Sequence, residues 1–211
     1  METLSVRLQG ATPLLVNNPS TVNPLSETTK IIKELSGKRK KSDQDVTELL
    51  RMKYHASLYY DAELGPYIPA YNAFRCGQEG GKLSKQGKNW ERGVTVIGDK
   101  AKLNYKGPRE PEELWSTPRF VDIRDGSIGT SRVTVARPIF NPEWSCDVTF
   151  MIAPDVVNSA DVLANLVTGG RLIGIGTYRA RFGRFTVELI NSSANIDRAC
   201  DNLGVVRAKG N

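Results

Sequence analysis

Two stretches of strict alternation near opposite ends of the chain limit what it can fold into. Leu4, Val6 and Leu8 alternate with Ser5, Arg7 and Gln9, the period of two that marks a strand with one buried and one wet face. Cys146, Val148, Phe150 and Ile152 repeat that pattern within Trp144 to Ile152. A second strand-like run, Arg132 to Phe140, precedes it, and the short link Asn141-Pro142-Glu143 predicts that the two form an antiparallel hairpin. Phe185 to Ile190 supplies a last strand.

Helical periodicity fills the space between. Glu27 to Leu35 predicts a short helix stopped by Gly37; Ser42 caps another, with Asp43 and Asp45 in its first turn where the helix dipole favours acids. Pro66 and Pro69 bracket an extended piece, and a helix starting near Ala70 is expected to lose definition at Gly80-Gly81. Pro154-Asp155 opens a helix through Val156, Leu163 and Leu166 that Gly169-Gly170 is expected to end. The order strand, helices, hairpin, helix, strand predicts an α+β fold with a ferredoxin-like (RRM-like) βαββαβ core and an antiparallel sheet. Residues 1–211 are read as a single domain, with an inserted middle segment at 94–130 and a C-terminal extension at 191–211.

An apolar fraction of 39% is enough for a packed core, which excludes wholesale disorder. No run approaches the roughly 18 apolar residues a membrane span needs, and Met1-Glu2-Thr3-Leu4 lacks the regions of a secretion signal. The expected location is therefore the cytoplasm, with no membrane partner. Cys76, Cys146 and Cys200 are odd in number and far apart, so neither a disulfide framework nor a zinc site is indicated, and no metal or other cofactor is expected.

A formal net charge of +6 favours polyanionic partners, but the distribution of charge carries more information than its sum. The densest combination of glycine and arginine runs from Gly169 to Phe185. Gly170, Gly174, Gly176 and Gly183 let a backbone approach a ligand closely, Arg171, Arg179, Arg181 and Arg184 can fork onto phosphates, and Tyr178 can stack on a base. The alternative reading of these residues is a tight turn and a bulged edge strand with its arginines in solvent. Lys38, Arg39, Lys40 and Lys41 form a basic run, and Lys82, Lys85 and Lys88 continue a cationic series that begins at Arg75. Such flexible cations neutralise phosphates without reading sequence. Tyr59, Tyr60, Tyr67, Tyr71 and Trp90 are candidate stacking platforms nearby. Two phosphate fingerprints fail: no Gly-Lys-Ser/Thr closes a P-loop, and Gly174-Ile175-Gly176 lacks the third glycine of a dinucleotide motif. The lone histidine, His55, sits mid-helix with no nucleophile or carboxylate pair beside it in sequence, so no catalytic residue is assigned.

A glycine-rich basic loop before the last strand of a ferredoxin-like domain resembles the RAMP superfamily of CRISPR-associated RNA-binding proteins, in particular the RAMP-like proteins of bacteriophages and integrated elements. The resemblance extends to Gly10-Ala11-Thr12-Pro13-Leu14-Leu15-Val16-Asn17-Asn18 and to Ser36-Gly37-Lys38-Arg39-Lys40-Lys41. It implies a ferredoxin-like core, backbone gripping of single-stranded nucleic acid and head-to-tail assembly along that strand, in the cytoplasm of a bacterial host. Together with the flexible cations, the expectation is single-stranded RNA or DNA bound without sequence preference by a homo-oligomer or helical filament. Two other readings stand beside it: a metal-independent RAMP-type endoribonuclease using His55, and an assembly or inhibitory protein docking on an acidic protein partner.

Overall fold

The computed structural model describes residues 1–128 and 131–208. In chain order the first half forms β1 (Glu2–Gly10), β2 (Leu14–Leu15), α1 (Glu27–Gly37), α2 (Asp43–Ser57), β3 (Tyr60–Asp61), β4 (Gly65–Pro69), α3 (Tyr71–Leu83), α4 (Gly87–Gly93), β5 (Val94–Ile97) and β6 (Lys100–Lys102). The second half forms α5 (Pro111–Ser116), β7 (Val121–Ile128), β8 (Ser131–Phe140), β9 (Ser145–Ile152), α6 (Ser159–Leu172), β10 (Phe185–Ser192) and α7 (Asp197–Leu203). The fold is mixed α+β with antiparallel sheets. The chain divides into two compact units, one of Met1–Leu14, Tyr67–Lys106 and Asn141–Asn211, the other of Leu15–Pro66 and Gly107–Phe140. The segment 94–130 is thereby shared, its first part in one unit and the rest from Gly107 in the other.

In the first unit four antiparallel strands lie in the order β10-β1-β9-β5. The alternation of β1 puts Leu4, Val6 and Leu8 out of solvent altogether, opposite Phe150, Val148 and Cys146 of β9. Each such aliphatic side chain contributes about 1.5–3 kcal/mol of burial free energy. Helices α3 and α6 lie against each other, and the rings of Trp90 and Phe150 meet edge-on at 5.8 Å beneath them. The alternate residues of β1 form a polar face, with Ser5 Oγ 2.9 Å from Thr149 Oγ1 and Arg7 paired to Asp147 at 2.8 Å. The Asn158 side chain caps α6 by accepting from the Asp161 amide at 2.7 Å.

In the second unit β7 and β8 pair from Val121 opposite Pro138 to Ile128 opposite Ser131, and α2 packs on β8. Ser42 caps α2 through a reciprocal box with Asp45, as its sequence predicts. Tyr54 on α2 is fully buried and its hydroxyl donates to the Phe120 carbonyl at 3.2 Å.

Two sequence expectations are corrected. Residues 132–140 do not form a hairpin with 144–152: β8 pairs with β7, whereas β9 lies between β1 and β5. The link Asn141-Pro142-Glu143 is where the chain passes from the second unit into the first. Nor do the glycine pairs end their helices, because α3 runs on to Leu83 and α6 to Leu172. A Cβ on Gly80 would lie 2.2 Å from the Asn165 carbonyl oxygen, and one on Gly169 would lie 2.5 Å from that of Cys76. These glycines permit close contact between the two helices instead of terminating them.

Candidate nucleic-acid interface

The segment after α6 is a closed loop. The amides of Ile173 and Gly174 both donate to the Gly169 carbonyl, at 2.8 and 2.9 Å. Ile175 N donates to Gly183 O at 2.9 Å and Ala180 N to Ile173 O at 3.1 Å, which zips the two limbs together. Ile175 and Phe182 are buried beneath them. Gly183, at φ +71°, donates to the Pro13 carbonyl at 2.8 Å, and a Cβ there would lie 1.8 Å from Ile175 O, so only glycine closes the base of the loop. Tyr178 and Ala180 also occupy the left-handed region, at φ +51° and +53°, and shape the outer part of the loop.

The predicted glycines therefore divide by position. Gly170 lies inside α6 against Phe185, and the amides of Gly174 and Gly183 are used within the chain. Gly176 lines a small polar cavity of about 160 Å³ together with Asn72, Arg75, Ile175 and Arg179. Arg75 and Arg179 reach it from α3 and from the loop, and Glu79 lies between them, 3.8 Å from Arg75 and 4.0 Å from Arg179. Arg75 also donates to Gln78 Oε1 at 2.8 Å. Two guanidiniums, an amide side chain and a glycine backbone converging on a cavity of that size suit a single phosphate group. Cys76 lies below; burial pushes its thiol up to about 12 against the effect of a hydrogen bond from the Gly174 backbone, so it stays protonated and inert.

Other predicted cations fall around this point. Tyr178 is 44% exposed, and the exposed Arg181 guanidinium stacks 5.7 Å from the Phe182 ring centroid. Arg171, in the last turn of α6, and Arg184, just before β10, line a different, largely apolar cavity. Lys82, Lys85 and Lys88 surround an open groove of about 560 Å³ at the turn between α3 and α4, with Gln78, Gly87 and Glu91. Arg75, Gln78 and Lys82 follow at spacings of three and four, so one edge of α3 leads from the small cavity to the lysine groove over about 10 Å. Trp90 does not serve as a stacking platform there, being fully buried in the core; Tyr71, 55% exposed, stacks on Phe74 at 5.2 Å.

Lys38, Arg39, Lys40 and Lys41 belong to the second unit, between α1 and α2. Lys38 is committed to Asp45 at 2.6 Å and Lys41 donates to the Lys38 carbonyl at 2.9 Å, while Arg39 and Lys40 point into solvent. His55, also in this unit, acquires from tertiary structure the carboxylate that its sequence neighbours do not supply. Its Nε2 lies 3.3 Å from Glu112, which also pairs with Arg51 at 2.5 Å. Burial lowers the His55 pKa against the pull of Glu112, which keeps the ring neutral near pH 7. Among the described residues no three His, Cys, Asp or Glu side chains converge as metal ligands, and no helix is long and apolar enough to cross a membrane.

Sequence reasoning missed Asn72 and the role of Glu79. The one available signal was the Arg75/Glu79 spacing of four on a helix; nothing in the sequence places either beside Gly176.

No protein-family model matches the chain, and no curated protein matches it. Among solved structures it is similar to Csc2 from Thermofilum pendens, at a TM-score of 0.32 and 10% identity over 100% of this chain and 72% of that one.

Proposed function

We propose that this chain is a RAMP-like protein of the phage or mobile-element type that binds single-stranded nucleic acid without sequence preference and assembles along it, and that it is not an enzyme. What carries the reading is the cavity where Asn72, Arg75, Gly176 and Arg179 meet, continued along α3 by the lysine groove. The sheet order β10-β1-β9-β5, with α3 and α4 between β1 and β5 and α6 between β9 and β10, supports a ferredoxin-like βαββαβ core.

The sheet itself is a poor binding surface. RRM-type recognition stacks bases on sheet aromatics, but here the polar face carries Ser5, Arg7, Asp147 and Thr149, with Arg7 tied to Asp147. Binding through the loop and the edge of α3 is therefore favoured, with phosphates as the main contacts.

The test is a salt series of anisotropy titrations with labelled single-stranded RNA, single-stranded DNA and duplex. Expected are salt-sensitive binding to a single strand and a loss of roughly ten-fold or more in Arg75→Ala and in Arg179→Ala/Arg181→Ala, the magnitude of one or two charge-assisted contacts. Absence of binding at low salt would sink the reading and favour an acidic protein partner. Cleavage of the RNA that His55→Ala abolishes would favour the endoribonuclease instead.

A further inference from the structure

The second unit holds a cavity of about 250 Å³ between the end of α1, the link to α2, one side of α2 and the start of β8. Val46, Leu49, Leu50 and Val133 give it aliphatic walls, Lys41 and Lys53 bring two ammonium groups to it, and among the described residues no carboxylate lines it. Lys41, Val46 and Thr134 are exposed, so the cavity is open to solvent, whereas Lys53 is half-buried on α2 and donates to the Thr134 carbonyl at 3.0 Å. Carboxylates on the flanking elements are engaged elsewhere, Asp45 by Lys38 and Ser42 and Asp125 by the Thr134 hydroxyl at 2.8 Å. The charge that acts on Lys53 is that of Lys41. Burial first, and then this like charge, lower the Lys53 pKa, so near neutral pH more of it is free amine than is the case for an ordinary lysine.

A lysine desolvated against aliphatic side chains and set beside a second cation is in the environment that turns an ammonium into a nucleophile. The rest of the cavity describes what that nucleophile would meet. The volume is below that of drug-sized sites and fits a small group, and the aliphatic walls suit an acyl chain. Lys41, held by its bond to the Lys38 carbonyl at 2.9 Å, supplies a cation for an anionic leaving group. We propose that Lys53 is acylated by small acyl phosphates, with the acyl group against Val46, Leu49, Leu50 and Val133 and the phosphate beside Lys41. The Lys53 amine attacks the carbonyl carbon and forms a C–N bond, the C–O bond to phosphate breaks, phosphate leaves with that electron pair, and the proton lost by the amine passes to solvent. The resulting amide carries no charge, which removes the repulsion with Lys41. The inference is independent of the single-strand reading.

The test incubates the full chain with acetyl phosphate at neutral pH and follows acetylation of each lysine over time by peptide mass spectrometry. Lys53 is expected to react several-fold faster than the exposed Lys40 and Lys88, and the three should react alike in urea, where the cavity is gone. Lys41→Gln should slow Lys53 more with acetyl phosphate than with an uncharged acetyl ester, because only the first donor carries the anion that Lys41 would hold. Val46→Phe, which fills the cavity from an exposed wall position, should slow Lys53 with both donors and leave Lys40 unchanged. A Lys53 that reacts no faster than Lys40 and Lys88 in the folded chain overturns the proposal. So does a preference for Lys53 that neither Lys41→Gln nor Val46→Phe alters, since the cavity would then play no part in it.

Discussion

At the residue scale the proposed phosphate site has a built-in competitor in the carboxylate of Glu79. It lies 3.8 Å from Arg75 and 4.0 Å from Arg179, too far for tight pairs, and its charge would compete with a phosphate for both guanidiniums. Glu79→Gln keeps the shape and removes the charge, so single-strand affinity should rise about three- to ten-fold by anisotropy, as expected for an ion pair of about 1 kcal/mol; an unchanged affinity would mean that Glu79 does not compete. Gly183→Ala tests the loop's construction. With φ at +71° and a Cβ 1.8 Å from a carbonyl oxygen, the variant should lose about 2 kcal/mol or more in urea denaturation and bind the strand poorly with every cation in place. In the second unit, Lys38, then the Ser42 amide and hydroxyl, hold the Asp45 carboxyl down from 3.8 to about 2. A carboxyl depressed in the folded state stabilises fully above its ordinary pKa and stops doing so as pH falls through the folded value. The stability gap between wild type and Asp45→Asn should therefore be constant above about pH 5 and narrow between pH 4 and 2.

At the element scale α3 has two duties. Its inner side, through Ala73, Cys76 and Gly80, is buried, with Cys76 and Gly80 against α6, and its outer edge carries Arg75 and Lys82. Gly80→Ala must push the helices apart at the Asn165 carbonyl, 2.2 Å from the new Cβ, at a cost of about 1–3 kcal/mol. Because α3 carries Arg75 to the loop, the same substitution should weaken strand binding at temperatures where the protein remains folded; unaltered affinity would show that the cavity tolerates a shifted helix. The glycine pairs also explain why helix ends were misplaced from sequence. Glycine reads as a helix terminator when only local conformation is considered, whereas here it is needed where one backbone passes against another.

At the scale of the whole molecule, if Arg75, Arg179, Lys82, Lys85 and Lys88 each contact one phosphate as proposed, about five contacts give a slope of log affinity against log salt of roughly −3.5 for a single strand. A slope near zero would remove phosphate contacts as the source of affinity. What the sequence determined alone was local. The alternation of Leu4, Val6 and Leu8, that of Cys146 to Ile152, the Ser42 cap and the glycine-arginine segment are legible because backbone period, capping and charge act within a few residues. Tertiary structure alone decided the partners. It set β9 between β1 and β5 instead of beside β8, brought Asn72 and Arg75 to Gly176 and Arg179, and put Glu112 against His55. These choices depend on which apolar faces bury one another across about a hundred residues of chain, a long-range free energy that no short window of sequence contains.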